Sequence, residues 1–215
     1  MNPSGDTLTL MTVPPTNGPA TMYVPYFFMK QRVTMMANKY ELVAINPDGS
    51  EGPLIAFAQQ KRMAFKEQVT FYADDSKTQV VFSFKARKTI DLGSGYDVFD
   101  GNGQSIGWFK KDFGKSLLRS SWHLSAPGLD AFGAERNAKI AVLRRIWDVL
   151  PVVGDIPLPF IFHFDFTDNA TRQPVLSVER KMSIRDHYRV HVPDQRLDFR
   201  VAAAMTVALD ALQSR

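Results

Sequence analysis

The last stretch of the chain constrains the fold most, because it predicts a helix that has no polar face. From Val201 to Leu209 all nine residues are alanine, valine, methionine or leucine, except Thr206. A helix that is apolar all round must be enclosed on all sides. Nine residues are far fewer than the ~20 that cross a bilayer. We therefore predict that Asp194–Leu212 is a helix enclosed by protein, with Asp194 as its N-cap.

Short apolar runs separated by turn residues make up most of the chain before this helix. Val80, Phe82 and Phe84 alternate with Val81, Ser83 and Lys85, a period of two that is typical of a strand with one buried face. Turn sequences such as Gly101-Asn102-Gly103 supply positive φ angles at low cost and indicate hairpins. About a dozen strands at this spacing predict a mainly β protein, either a barrel or a sandwich, around the C-terminal helix.

Two segments depart from the strand pattern. Residues 135–150 place apolar side chains at helical spacing beside basic ones, and Pro151 ends the run, so we predict an amphipathic helix. Such a helix either packs on the domain or lies on an anionic membrane, and packing is the favoured interpretation. Residues 1–21 are rich in Pro, Thr, Gly and Ser, which predicts a disordered tail before a single domain at 22–215.

Three segments echo one another: NKYELVAINPDG, SGYDVFDGNG and DHYRVHVPD. Each has a strand that starts near a tyrosine (Tyr40, Tyr96 and Tyr188) and runs into a turn containing Asp, Asn or Pro. A repeated hairpin unit explains the echo, and convergent hairpin chemistry explains it equally well.

Composition narrows the cell compartment more than the partner. The chain has no cysteine, which excludes disulfides and thiolate metal sites and suits a reducing compartment. The N-terminus lacks the pattern of a secretory signal, so we expect a cytoplasmic protein, and a monomer. The net charge of +4 permits an acidic partner but does not require one. No nucleic-acid partner is expected.

The motifs that suggest catalysis or metal binding lack the context that such chemistry requires. Residues 103–107 match G-x-S-x-G, but here the motif sits in a hairpin rather than at a strand-to-helix turn. The segment from Asp100 begins like a calcium loop, yet Ser105 and Lys111 stand where an EF-hand needs Gly and Glu. The histidines are isolated from one another in the predicted elements. We therefore predict a non-enzymatic protein with no metal and no cofactor.

The chain resembles the Tubby C-terminal-like superfamily, which includes Tubby proteins, phospholipid scramblases and LURP-one-related proteins. The resemblance is closest to the bacterial LURP-one-related subgroup and covers residues 22–213. It is carried by KYELVAINPDG at 39–49, GYDVFDGNGQSIG at 95–107, the Trp122 strand, DHYRVHV at 186–192 and the terminal DFRVAAAMTVALDAL. It implies a closed, twelve-stranded antiparallel β-barrel around a central hydrophobic helix.

The same resemblance implies a binding function. Tubby domains bind phosphoinositides through a Lys-x-Arg on a strand shortly before a Gly-x-x-aromatic hairpin, and Lys85-Ala86-Arg87 precedes Gly93 and Tyr96 at similar spacing. Clustered cations can hold an anionic headgroup through charge-assisted hydrogen bonds. The candidate ligands of that headgroup are Lys85, Arg87, Lys88, Lys110, Lys111 and Arg145. The simpler alternative is a solvated basic strand end.

Three functions follow from these observations, in order of preference. The first is a module that binds anionic phospholipid or phosphoinositide at a membrane surface, which would make the protein peripheral to the membrane. The second is a protein-interaction or scaffold domain. The third is scramblase-like lipid transport, which the short apolar segment of the C-terminal helix disfavours because it has no flanking aromatic anchor.

Overall fold

The computed structural model describes residues 11–13, 20–33, 37–61, 68–87, 95–112, 120–136, 163–181 and 187–213. These residues form fourteen strands and one helix. The strands are β1 (Met11–Val13), β2 (Thr21–Tyr23), β3 (Tyr26–Val33), β4 (Ala37–Ile45), β5 (Glu51–Lys61), β6 (Gln68–Tyr72), β7 (Val80–Ala86), β8 (Tyr96–Asp100), β9 (Ser105–Asp112), β10 (Ser121–Ala126), β11 (Leu129–Glu135), β12 (His163–Asp168), β13 (Pro174–Lys181) and β14 (His187–His191). The helix is α1 (Phe199–Gln213).

Strands β3 to β14 follow one another around a closed antiparallel barrel. Each strand pairs with the next along the chain, and β14 returns to pair with β3 through Tyr188↔Met29 and Val190↔Phe27. Closure leaves these strands no free sheet edge, which removes a common route to aggregation. The predicted mainly β fold with twelve antiparallel strands is confirmed.

Helix α1 fills this barrel. Every residue from Phe199 to Asp210 is buried, and the Phe199 ring meets the rings of Phe27 and Phe82 edge-on, with centroids 6.4 and 6.2 Å away. Full burial of each large apolar side chain of the helix stabilises the fold by roughly 1.5–3 kcal/mol. The predicted enclosure of the apolar C-terminal segment by protein is confirmed.

The helix begins later than its sequence suggested. Asp198, and not Asp194, is the N-cap: its carbonyl accepts from the Val201 and Ala202 amides at 3.0 and 3.1 Å, and its Oδ1 accepts from the Arg200 amide at 2.9 Å. Asp194 instead accepts from the Arg196 amide and guanidinium, 2.9 and 2.6 Å away. Because these bonds hold residues 194–197 in a separate turn, the helix starts after them.

The described part of the expected N-terminal tail includes an ordered strand. Strands β1 and β2 pair antiparallel. The Met22 amide donates to Asp198 Oδ2 at 2.9 Å, and Arg200 Nη2 donates to the Ala20 carbonyl at 3.1 Å. These bonds fix β2 against the start of α1.

The second predicted helix, at 135–150, lies outside the described residues apart from its first two positions. Glu135 is the last residue of strand β11, and Arg136 follows it. Within the described ranges, no helix combines the length and the apolar character needed to span a bilayer.

Candidate anion-binding site

Lys85 and Lys110 project from the outer surface of the barrel on β7 and β9, with β8 between them. Each follows a buried phenylalanine, Phe84 or Phe109. Because successive side chains point to opposite faces of a strand, both lysines face outward, and both are exposed. Neither ammonium has an ion-paired partner among the described residues. At ordinary strand spacing their Cα atoms lie about 12 Å apart.

Arg87 lies just beyond β7 and is bound by a carboxylate of the neighbouring strand. Its Nε donates to the two carboxylate oxygens of Asp97 at 3.0 and 3.1 Å, and its Nη2 donates to Oδ1 at 2.7 Å. These hydrogen bonds raise the pKa of the Arg87 guanidinium above its ordinary value. The guanidinium also lies 5.0 Å from the ring centroid of Trp108, a cation–π distance.

We call these five side chains the outer basic face: Lys85, Arg87, Asp97, Trp108 and Lys110. Strand register places Lys85 beside Asp97, and Asp97 beside Trp108. One row further on, the Arg87 amide donates to the Gly95 carbonyl at 3.0 Å. A side chain on Gly95 would come within 2.8 Å of Lys110 Cβ, and Gly95 has a φ of +86°, so glycine is required there. Three cations therefore surround the Asp97 carboxylate.

The other three predicted ligands do not join this face in the described structure. Lys111 points to the interior: it is the register partner of Trp122, which is fully buried, and its Nζ lies 5.8 Å from the Trp122 ring centroid. Lys88 and Arg145 lie outside the described residues. Adjacent lysines on a strand cannot share a face, which separates Lys111 from Lys110.

The G-x-S-x-G segment forms a hairpin, as predicted. Asp100 Oδ1 accepts the amides of Asn102 and Gln104 at 2.9 and 2.8 Å, which closes the turn between β8 and β9. Ser105 is then the exposed first residue of β9 and is not at the tip of a strand-to-helix turn. Because the buried Asp100 carboxylate is engaged by backbone amides, it is a turn residue rather than a calcium ligand.

Strand pairing creates one polar cluster that the sequence did not reveal. His163 Nε2 lies 3.0 Å from Ser177 Oγ and 3.3 Å from Asp165 Oδ1, and Ser177 Oγ donates to Asp165 Oδ1 at 3.0 Å. In a catalytic triad the acid and the nucleophile bind opposite nitrogens of the histidine, whereas here both approach Nε2. The alternation on β12 pointed to an outward-facing His163 and Asp165, but only the register of β12 with β13 brings Ser177 to them.

Arg136 fixes the carboxylate of this cluster. Its Nε and Nη2 donate to the two Asp165 oxygens at 2.6 and 2.8 Å. Burial alone raises the pKa of Asp165, but the hydrogen bonds from Arg136 and Ser177 outweigh it, so the pKa lies below its ordinary value. The pair also borders a surface groove of about 370 Å³. The groove is lined by Phe132, Ala134, Arg136, Asp165, Thr167, Asn169 and Arg172.

The described residues contain no cluster of three or more His, Asp or Glu side chains close enough to hold a metal ion.

A meander of twelve strands closed around a buried C-terminal helix, with a cationic patch on its outer wall, defines a helix-filled barrel of the kind that the Tubby C-terminal-like resemblance implies. The model of the LURP-one-related family matches residues 54–210, which are 157 of the 215 residues. The chain therefore belongs to the LURP-one-related family. No curated protein matches its sequence.

Proposed function

We propose that this LURP-one-related barrel is a non-enzymatic, cytoplasmic binding module that engages anionic phospholipid headgroups at a membrane surface through the outer basic face. The observation that carries the proposal is the pair Lys85 and Lys110. Both are exposed on one side of the barrel, and no carboxylate among the described residues neutralises them. Two long, flexible side chains about 12 Å apart can reach one headgroup or two neighbouring ones.

The arrangement of the remaining side chains supports a surface-binding role. Trp108 lies in the same outer face and is partly exposed, and aromatic rings of this type are favoured at the headgroup level of a membrane. The basic residues are attached to a closed barrel, so their positions are fixed before binding. Binding therefore requires little ordering of the backbone.

The non-enzymatic part of the proposal rests on the geometry of the polar clusters. Asp165 is held by Arg136 and lies on the nucleophile's side of His163. Ser105 has no histidine partner among the described residues. Neither serine therefore has the base and acid that acyl transfer requires.

Sedimentation with lipid vesicles tests the proposed function. Each lysine near an anionic surface contributes ~1 kcal/mol, so Lys85→Gln/Lys110→Gln is expected to weaken binding to vesicles containing phosphatidic acid or a phosphoinositide by roughly 10- to 30-fold. The matched control is Arg32→Gln/Arg189→Gln. It removes the same charge from exposed positions on β3 and β14, and β14 lies opposite β8 in the ring of strands.

The control double variant is expected to retain most of the binding. Equal losses in the two double variants would show attraction by net charge alone and would contradict a defined site. Recovery of the native protein in the supernatant at low salt would contradict the proposed function itself.

A further inference from the structure

Asp97 is the one carboxylate that the described residues place inside the outer basic face. It is flanked by Lys85 and Trp108 in the strand register and held by Arg87 through three hydrogen bonds of 2.7 to 3.1 Å. Both partners are partly exposed, at 38% for the Arg87 side chain and 32% for that of Asp97. An incoming anion can therefore reach both groups.

The hydrogen bonds to Asp97 use the edge of Arg87 that would otherwise bind a ligand. A guanidinium recognises carboxylate or phosphate by presenting two parallel N–H groups to two oxygens. Here Nε and Nη2 already present those groups to Asp97. Stacking of the guanidinium on Trp108 further restricts its rotation toward another partner. A headgroup that meets this face therefore finds two available ammonium groups and one guanidinium that is already bound.

We propose that Asp97 determines which anions this face accepts, because its carboxylate competes with the ligand for Arg87. A phosphodiester headgroup carries one negative charge on its phosphate, and a phosphatidylserine headgroup adds a zwitterionic serine; such groups bind Lys85 and Lys110 and leave Arg87 on Asp97. A phosphate monoester carries nearly two charges at pH 7 and three terminal oxygens. It competes with Asp97 for the fork of Arg87. The face accordingly selects phosphomonoester groups over phosphodiesters.

This inference rests on the proposed function, since it assigns the ligand class of the same face. Its test uses the full chain and two kinds of phosphatidylcholine vesicle with matched surface charge. One contains phosphatidic acid, a phosphomonoester, and the other contains phosphatidylserine, a phosphodiester. Soluble glycerol 3-phosphate added as a competitor distinguishes recognition of the phosphate group alone from recognition at a lipid surface.

Asp97→Asn is the informative variant, because the amide keeps an oxygen acceptor for Arg87 but loses the charge. The native chain is expected to bind the phosphatidic acid vesicles at least fivefold more tightly than the phosphatidylserine vesicles. Asp97→Asn is expected to tighten binding to phosphatidylserine about fivefold and to reduce the preference to below twofold. Asp75→Asn removes the same charge from an exposed turn between β6 and β7 and is expected to change neither value.

A double-mutant cycle isolates the role of Arg87. Arg87→Gln is expected to reduce binding to phosphatidylserine less than twofold in the native background, and at least fivefold in the Asp97→Asn background. Equal effects in the two backgrounds would overturn the proposal. Asp97→Ser repeats the cycle if circular dichroism shows that Asp97→Asn disturbs the barrel.

The outcomes separate this inference from the proposed function. Binding by the native chain without any gain in Asp97→Asn would overturn the role of Asp97 alone. Absence of binding by both proteins would overturn both proposals. Binding by Asp97→Asn alone would uphold the competition by Asp97 and overturn the proposed function of the native chain.

Discussion

At the scale of single residues, the three tyrosines of the sequence echo have the same burial but different partners. Tyr40, Tyr96 and Tyr188 are at most 3% exposed. The Tyr188 hydroxyl donates to Asp210 Oδ1 at 2.7 Å, and the Tyr40 hydroxyl lies 3.5 Å from Oδ2. Burial, and then the nearby Asp210 charge, raises the pKa of Tyr40 above its ordinary value. No partner for the Tyr96 hydroxyl is found in the described part of the chain.

This difference predicts opposite results for the same substitution. Tyr188→Phe removes a buried hydrogen bond to a carboxylate and is expected to lower the free energy of unfolding by about 1–3 kcal/mol. Tyr96→Phe removes a hydroxyl without a partner and is expected to leave the free energy of unfolding unchanged within about 0.5 kcal/mol, or to raise it. Urea denaturation followed by circular dichroism measures both. An equal loss in the two variants would show that the Tyr96 hydroxyl is satisfied in solution.

At the scale of elements, the central helix and the wall meet most closely at Gly107 of β9. A side chain there would come within 2.7 Å of the Ser125 carbonyl oxygen and 3.0 Å of Val201 Cγ2. Glycine therefore allows α1 to lie directly against the sheet. The alanines of α1 contribute to the same close approach, since they keep the helix thin enough for twelve strands to enclose.

Gly107→Ala is expected to lower the free energy of unfolding by about 1–3 kcal/mol, because overpacking forces the helix and the strand apart. Combining it with Val201→Ala removes the methyl groups that meet the new side chain. The double variant is therefore expected to be more stable than the sum of the two single effects predicts. Strict additivity in thermal unfolding would contradict the close helix–strand contact.

At the scale of the whole molecule, Arg196 joins the chain before the helix to two strand ends. Its guanidinium donates to Asp194 and Asp168 and, 3.0 Å away, to the Gly128 carbonyl in the β10–β11 turn. The hydrogen bonds from Arg196 are the largest influence on the pKa values of Asp168 and Asp194, which lie below their ordinary values. The start of the helix is thus fastened to the barrel wall by charge-assisted hydrogen bonds.

These shifts predict a loss of stability in acid. A carboxylate whose pKa is depressed by folding stabilises the native state above its unfolded pKa of about 3.9, and that contribution is lost as the pH falls through the folded pKa. The urea midpoint of the native chain is therefore expected to fall between pH 5 and pH 2.5. In Arg196→Gln the midpoint should start lower at pH 7 and fall less. An unchanged pH dependence in Arg196→Gln would contradict this assignment.

Much of the architecture was predictable from the residues alone. The enclosure of α1 followed from the absence of a polar face between Val201 and Leu209. The outward direction of Lys85 followed from the alternation with Phe82 and Phe84. Local periodicity carries this information because burial depends on side-chain direction, which strand and helix geometry fix. The closed barrel of twelve strands, in contrast, was implied by the family resemblance.

The tertiary structure decided which of these residues meet. Neither the capture of Arg87 by Asp97 nor the separation of Lys111 from Lys110 was derived from the residue pattern, and the start of the helix at Asp198 depends on the chain from Ala20 to Met22. The physical reason is that a residue's own sequence neighbourhood sets its face and its burial, whereas its partners are set by the register between strands. That register depends on closure of the whole barrel around its helix.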